Sequence, residues 1–293
     1  MPKELIIDDI PTLNRPNVYM RDKDDVMKKI AKIRNDGCQK LQVVSDFDRT
    51  LTKQHVDGRQ VLSSFGIFFK SSQIPESMKI KEKELFNKFR PMEVDPHLSM
   101  EKKVEAMENW MHESNILLRD IEYDPCDIEK LVKVHGTDLR DGAKDLIDKL
   151  DAAGIPVLVF SAGLGDVVEA VLNYHEIYSH NVKVISNFLK YDNKKLNGFK
   201  NETLIHVFNK NEKMVDKAYF HVLEGRENVI LMGDMTGDST MADGVKNAGS
   251  ILKIGFLYDH AEQSLPSYME TFDIVLVDDQ TMDIPTDILR TLV

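Results

Sequence analysis

The chain has little cysteine, no surplus of positive charge and no long apolar run. Only Cys38 and Cys126 occur in 293 residues, and they form no CxxC pair. That argues against a disulfide scaffold or a zinc site and makes a reducing cytosol the expected home. Lys and Arg number 38 against 49 Asp and Glu, a formal net charge of −11, so no basic excess exists to neutralise a nucleic-acid backbone. No apolar stretch approaches the roughly 20 residues that span a bilayer, and the start, Met1 to Asp9, lacks the apolar core of a secretory signal. The expectation is a cytoplasmic protein with neither a nucleic-acid nor a membrane partner. With no interface signal in the sequence, a monomer is expected.

What is present is an alternation of short apolar runs and helical patterns. Leu41–Ser45, Pro156–Ser161, Val182–Ser186, Asn228–Gly233, Ile251–Phe256 and Asp273–Val277 read as buried parallel strands. Helical spacing at Gly142–Ala153 and Asp166–His175 separates some of them, and another helix is expected near Asp24–Asn35. Near-continuous apolar strands alternating with helices predict an α/β fold, an open Rossmann-like parallel sheet with helices on both faces. The gap between the first two strands is far longer than a normal crossover. It is rich in Lys and Glu with helical spacing at Glu76–Phe89 and Ser99–Leu118. It reads as a mostly helical cap, residues 53–135, inserted after the first strand into a core made of 1–52 and 136–293.

Ligands of open α/β sheets bind beyond the carboxyl ends of the strands. Asp46 and Asp48 follow Leu41–Ser45 and leave on one side of the chain, with the Thr50 hydroxyl where the chain must turn. A divalent cation is one common way to make such a pair of acids tolerable, and the arrangement suits a carboxylate nucleophile beside an acid/base partner. The plain alternative for Asp46 is a strand-end turn or helix cap. After Val157–Phe160, the small residues Ser161-Ala162-Gly163 let backbone amides approach an oxyanion, although a strand-to-helix turn capped by Ser161 or Asp166 explains them as well. Asp234 and Asp238 leave a third strand around Gly233 and Gly237, where Asp234 could complete an oxygen cage for a hard cation and Asp238 could support it or Lys210, the plain alternative being a glycine-rich turn without metal. Lys210 alone reads as a solvated lysine; it gains meaning only because a phosphoryl site crowded with carboxylates needs a fixed cation.

These segments resemble a known family. Asp46-Phe47-Asp48-Arg49-Thr50-Leu51-Thr52 resembles the DxDxT nucleophile motif of haloacid-dehalogenase-type phosphatases, and Ser161, Lys210 and Gly233-Asp234…Gly237-Asp238 match their later motifs in order. A closer likeness, to the cytosolic pyrimidine 5'-nucleotidase (type III cytosolic 5'-nucleotidase) family, rests on Glu93-Val94-Asp95-Pro96, Phe160–Gly163, Leu204–Lys210 and Met241-Ala242-Asp243-Gly244-Val245. The resemblance covers the chain from about Arg34 onward. It implies that Asp46 attacks phosphorus and becomes an aspartyl-phosphate, while Asp48 protonates the leaving 5'-oxygen and then activates water. It implies Mg²⁺ held by Asp46, the backbone carbonyl of Asp48 and Asp234, with the phosphate held by Ser161, the Ala162 amide and Lys210. It places Glu93 and Ser114 on the nucleoside, with Trp110 either stacked on the base or packed in the core.

The segment Val61–Phe69 lacks the Cys, His and Asn expected of vertebrate pyrimidine nucleotidases and offers Phe65 instead. A preference for 7-methylguanosine monophosphate, known in one branch of the family, then stands beside CMP and UMP, because aromatic faces next to Glu93 suit a cationic base. The expected activity is Mg²⁺-dependent hydrolysis of nucleoside 5'-monophosphates, with phosphotransfer as a side reaction. The alternatives are the same chemistry on a non-nucleotide phosphate, or a non-catalytic nucleotide sensor.

Overall fold

The structure is a computed structural model and describes residues 5–292 apart from 96, 137, 212–219, 244, 246 and 247. Pro96 and Gly244, which belong to two of the family motifs, and the first four residues of the chain therefore lie outside the described residues.

A two-residue edge strand, β1 (Val18–Tyr19), precedes helix α1 (Lys23–Asp36). The Asp22 side chain caps α1 by accepting from the Asp25 amide, and Gly37 at φ 84° ends it in the left-handed region that glycine favours. Strand β2 (Leu41–Ser45) follows, buried at every position. Then come a hairpin of β3 (His55–Val56) and β4 (Arg59–Gln60), helices α2 (Ser64–Phe68), α3 (Glu76–Val94) and α4 (Met100–Leu117), strand β5 (Arg119–Glu122) and helix α5 (Cys126–His135). The second half runs α6 (Ala143–Ala152), β6 (Val157–Leu164), α7 (Gly165–Tyr174), β7 (Val182–Asn187), β8 (Leu189–Asp192) and β9 (Lys195–Phe199). It closes with α8 (Phe220–Leu223), β10 (Asn228–Gly233), β11 (Ile251–Leu257), α9 (Ala261–Thr271), β12 (Ile274–Val277) and α10 (Asp283–Arg290).

The main sheet has the order β1-β12-β11-β10-β2-β6-β7, parallel throughout except for antiparallel β1 at its edge. All six strands expected from the sequence are in it. Alternating side chains sort onto two faces. Val43, Val157, Val159, Ile230, Leu252, Ile254 and Ile274 pack with α1, α6, α7 and α10. Val44, Leu158, Phe160, Val229, Leu231 and Val275 pack on the other face with residues of α8 and α9. Both faces are covered, as near-continuous apolar strands require.

The chain winds outward in one direction from β2 through β6 to β7, and in the other from β10 through β11 to β12. The crevice where winding reverses, beside β2, is where such sheets take their ligands.

The insertion between β2 and β6 is mostly helical. Its strand β5 pairs antiparallel with β9, which itself pairs with β8, so a small three-stranded sheet joins it to residues far downstream. The β8–β9 hairpin escaped the sequence reading; its turn at Asn193 and Lys194 takes φ of 47° and 70°, as a tight two-residue turn does. Helix α3 also runs past the expected end at Phe89 to Val94, through Pro91. Proline removes a donor inside a helix, so packing of α3 on α4 must hold this last turn; Phe89 is buried there against Ala106 and Met107.

Candidate active site

The register of the central strands brings the polar groups level. Ser45 pairs with both Met232 on β10 and Val159 on β6. The Asp46 amide then donates to the Met232 carbonyl at 2.9 Å, so Asp46 leaves β2 beside Gly233 and Asp234. Carboxylate oxygens of Asp46, Asp234 and Asp238 lie within 4.8 Å of one another. Gly233 is required here, since a Cβ would overlap the Asp238 side chain.

Lys210 reaches this cluster from the loop after β9. Its Nζ donates to Asp46 Oδ1 at 2.5 Å and to Asp238 Oδ1 at 2.8 Å, and all three side chains are buried. Burial works against the lysine's charge, but Asp238 and Asp46 overcome it and push its pKa up. Burial raises the Asp46 carboxyl to about 7 against the pull of Lys210, with Asp238 and Asp48 adding to the rise. Asp234 is pushed well up by burial and by Asp46 and Asp238. Lys210 serves two of the three acids, and Asp234 has no ion pair among the described residues. Three close carboxylates with a single cation among them fit a hard divalent ion, which takes oxygen ligands and relieves the repulsion.

Asp48 is held apart from this cluster. Its Oδ1 accepts from the Ser64 amide at 2.8 Å and its Oδ2 from the Ser64 hydroxyl at 2.7 Å. Burial raises its pKa, and the two Ser64 bonds oppose the rise. The Leu164 amide donates to the same hydroxyl at 3.1 Å. Ser64 Oγ is thus able to turn and accept a proton held on Oδ2. Gly163 sits against this pair, and a Cβ there would overlap Ser64 Oγ and crowd Asp48 Oδ2.

The β6–β7 pairing breaks register between Phe160 and Leu164, which lets Ser161, Ala162 and Gly163 form a small-residue step. Ser161 Oγ accepts from the Gly163 amide at 3.0 Å. Asn187 at the end of β7 donates to the Ala162 and Ile205 carbonyls at 3.0 and 2.9 Å and accepts from the Ile205 amide at 2.8 Å. One side chain therefore fixes the Ser161 step to the Lys210 loop.

A cavity of about 200 Å³ joins these groups to the insertion. Asp46, Asp48, Ser161, Ala162, Lys210, Asp234 and Asp238 line one end, and Phe65, Glu93, Trp110 and Ser114 line its wall, whereas Thr50 is fully buried away from it and Asp166 accepts from the Leu189 amide. Trp110 does two things at once. It lines the cavity, and it stacks on Phe89 at 5.9 Å with 16° between the planes while Phe86 meets it edge-on at 6.0 Å. Phe65 meets Phe199 edge-on at 6.3 Å. Glu93 is ion-paired with Arg90, one turn away on α3.

Sequence reasoning missed Ser64, Asn187, Arg90 and His206. Ser64 and Asn187 act only through the fold and leave no spacing signal. Arg90 stands three residues before Glu93, a spacing that does carry one on a helix.

A family model for "Pyrimidine 5'-nucleotidase (UMPH-1)" matches residues 49–293. The chain belongs to this family. It is a hydrolase of the 5'-nucleotidase class with the haloacid-dehalogenase-type fold. It is 43% identical to a 7-methylguanosine phosphate-specific 5'-nucleotidase of Drosophila melanogaster, over 98% of this chain and 91% of the relative. The crystal structure of cytosolic 5'-nucleotidase IIIB bound to cytidine superposes with a TM-score of 0.93 at 42% identity, covering 98% of this chain and 97% of that one. A substrate-bound phosphoserine phosphatase shares the fold alone, with a TM-score of 0.50 at 21% identity over 87% of this chain and 98% of that one. No helix among the described residues is long and apolar enough to cross a membrane.

Proposed function

We propose that the protein hydrolyses nucleoside 5'-monophosphates, CMP, UMP or 7-methylguanosine monophosphate, in a Mg²⁺-dependent reaction through an aspartyl-phosphate on Asp46. One observation carries the reading: three acids and a buried lysine converge at one end of a cavity whose wall is aromatic. Mg²⁺, held by Asp46, Asp234 and the backbone carbonyl of Asp48, would compensate the charge of the phosphate oxygens.

The chain's own residues divide the remaining work. Ser161, the Ala162 amide and Lys210 hold the phosphate oxygens, which suits a loose transition state that needs mainly positioning and charge compensation. Asp46 attacks phosphorus as the bond to the 5'-oxygen breaks, and Asp48 gives its proton to that oxygen. The raised pKa of Asp48 favours the protonated form that this step needs. Asp48, now ionised, takes a proton from water, which attacks the aspartyl-phosphate and frees inorganic phosphate and Asp46. An alcohol in place of water gives phosphotransfer.

Residues 53–135 act as the cap that reads the nucleoside, with Glu93 accepting from the base, Ser114 contacting the substrate and Trp110 and Phe65 supplying faces. The 7-methylguanosine specificity in the name of the Drosophila relative and the cytidine in the neighbouring crystal structure make both base classes candidates.

Phosphate release from CMP, UMP, 7-methylguanosine monophosphate and a sugar phosphate, with and without Mg²⁺, tests the reading. Mg²⁺-dependent release from a nucleotide, abolished by chelation and restored by adding the ion back, is expected. Faster release from the sugar phosphate transfers the chemistry to another substrate, and binding without any release makes the protein a sensor.

A further inference from the structure

The nucleoside end of the cavity holds a compensated charge. Arg90 and Glu93 both line it, and their side chains, 24% and 12% exposed, are joined in an ion pair. Burial opposes the arginine's charge, but Glu93, and more weakly Asp234 and Asp259, outweigh it and raise its pKa above the usual value. Arg90 is therefore a permanent cation beside the acid proposed to read the base. Glu82, half-buried on the same helix, lines the cavity as well; burial raises its pKa, and it is common to all the variants compared at one pH. A lone buried carboxylate favours a cationic base over a neutral one of the same shape, because interactions between charges strengthen away from water. A carboxylate already paired with a guanidinium has little net charge left to offer, although its second oxygen still accepts a hydrogen bond.

We infer that Arg90 sets the charge preference of the base pocket: by neutralising Glu93 in place, it admits uncharged bases that an isolated acid would discriminate against. The inference rests on the nucleotidase reading above and adds to it a specificity-determining residue. Its weight comes from the pairing geometry and the shared cavity wall. The helix holds both side chains on that wall by continuing one turn beyond Phe89 through Pro91.

The test uses 7-methylguanosine 5'-monophosphate and its uncharged isostere, 7-deaza-7-methylguanosine 5'-monophosphate, at mildly acidic pH where the methylated base stays cationic. The ratio of kcat/KM for the two isolates charge from shape, and p-nitrophenyl phosphate, which has no base, reports on the phosphate end. Arg90→Gln is expected to raise the cation-to-isostere ratio about tenfold, chiefly through KM, because it frees the charge of Glu93. Arg90→Lys keeps a cation and is expected to hold the ratio within about twofold of the wild type. Glu93→Gln, leaving Arg90 uncompensated, is expected to move the ratio the opposite way.

A ratio unmoved by Arg90→Gln, or moved in the same direction by Arg90→Gln and Glu93→Gln, overturns the inference. So does an equal loss on all three substrates in Arg90→Gln, which would mean that the arginine serves the phosphate. If Arg90→Gln does not fold, Arg90→Met takes its place under the same criteria. A wild-type protein that cleaves none of CMP, UMP and the two methylated purine nucleotides overturns the nucleotidase reading and this inference together, whereas one that cleaves CMP or UMP but neither methylated purine, or cleaves both methylated purines at a ratio indifferent to Arg90, overturns the inference alone.

Discussion

The two ends of the cavity are built on different principles. At the sheet edge, each acid follows a buried parallel strand whose register with its neighbours is set by backbone hydrogen bonds, so Asp46 and Asp234 arrive together from residues far apart in the chain. On the opposite wall, Arg90, Glu93, Trp110 and Ser114 project from two helices whose mutual placement depends on side-chain packing around Phe89, Ala106 and Met107. The register of a buried strand is fixed because a one-residue slip turns every side chain to the wrong face, whereas the spacing of a helix pair follows the side chains at its contact. On the proposed function, chemistry belongs to the rigid end and selectivity to the adjustable one.

Changes at the rigid end should be the most severe. Asp46→Asn is expected to reduce phosphate release by at least about a thousandfold while the circular dichroism spectrum stays that of the wild type. Normal hydrolysis by that variant would reassign the nucleophile. Lys210→Met removes the cation shared by Asp46 and Asp238 and should lower kcat by about a hundredfold to a thousandfold, as loss of a preorganised charge partner does. A pure KM effect would move Lys210 out of the chemical step.

Arg140 tests whether the edge owes its rigidity to strands alone. Among the described residues this buried arginine has no carboxylate partner; it donates to the Thr50 carbonyl at 2.7 Å, to the Arg49 carbonyl at 2.6 Å and to the Asp279 carbonyl, and it lies 3.9 Å over the Phe256 ring. Burial pulls its pKa down to about 10, which leaves it charged at neutral pH. It ties the turn after Asp48, where Arg49 takes φ 66°, to the loop after β12. Arg140→Met should cost roughly 4.5 kcal/mol in urea unfolding, from three charge-assisted bonds at about 1.5 kcal/mol each. An unchanged midpoint would leave the strands as sufficient support.

The adjustable end should yield less and in another parameter. Phe89→Leu loosens the stacking under Trp110 and is expected to raise the KM for a nucleotide by up to about tenfold, with kcat nearly unchanged. A fall in kcat of the same size would join the two ends into one mechanical unit and remove the contrast.

The contrast also explains what was legible in the sequence. A parallel strand buried on both faces announces itself as a short apolar run, and polar residues at its carboxyl end are where a ligand site is sought. That is why Leu41–Ser45 with Asp46, and Asn228–Gly233 with Asp234, are readable, and why Lys210 becomes so only once a phosphoryl site crowded with carboxylates calls for a fixed cation. Ser64, which engages both oxygens of Asp48, lies at the start of a five-residue helix with no periodic signal. Asn187 ends a strand like many ordinary residues, and only the fold shows it joining the end of β6 to the Lys210 loop. The β8–β9 hairpin was hidden because its strands are short and half exposed.

His206 lies between the two ends and offers the finest test of where the boundary runs. Its Nδ1 accepts from the Phe208 amide at 3.2 Å, which places the proton of the neutral ring on Nε2, and Nε2 is buried without a partner among the described residues. Burial pulls its pKa down from the ordinary 6.5 to about 4. The unfolded chain therefore binds a proton that the native protein refuses as the pH falls below about 6.5. The stability held by the neutral ring is complete above that value and declines as the pH falls toward about 4. His206→Gln should flatten this part of the stability profile by no more than about 3 kcal/mol, measured as the difference between urea midpoints at neutral and acidic pH. A profile as steep as the wild type's would mean that the imidazole protonates without loss of global stability. The loop that delivers Lys210 would then open locally, and belong with the adjustable wall rather than with the sheet edge.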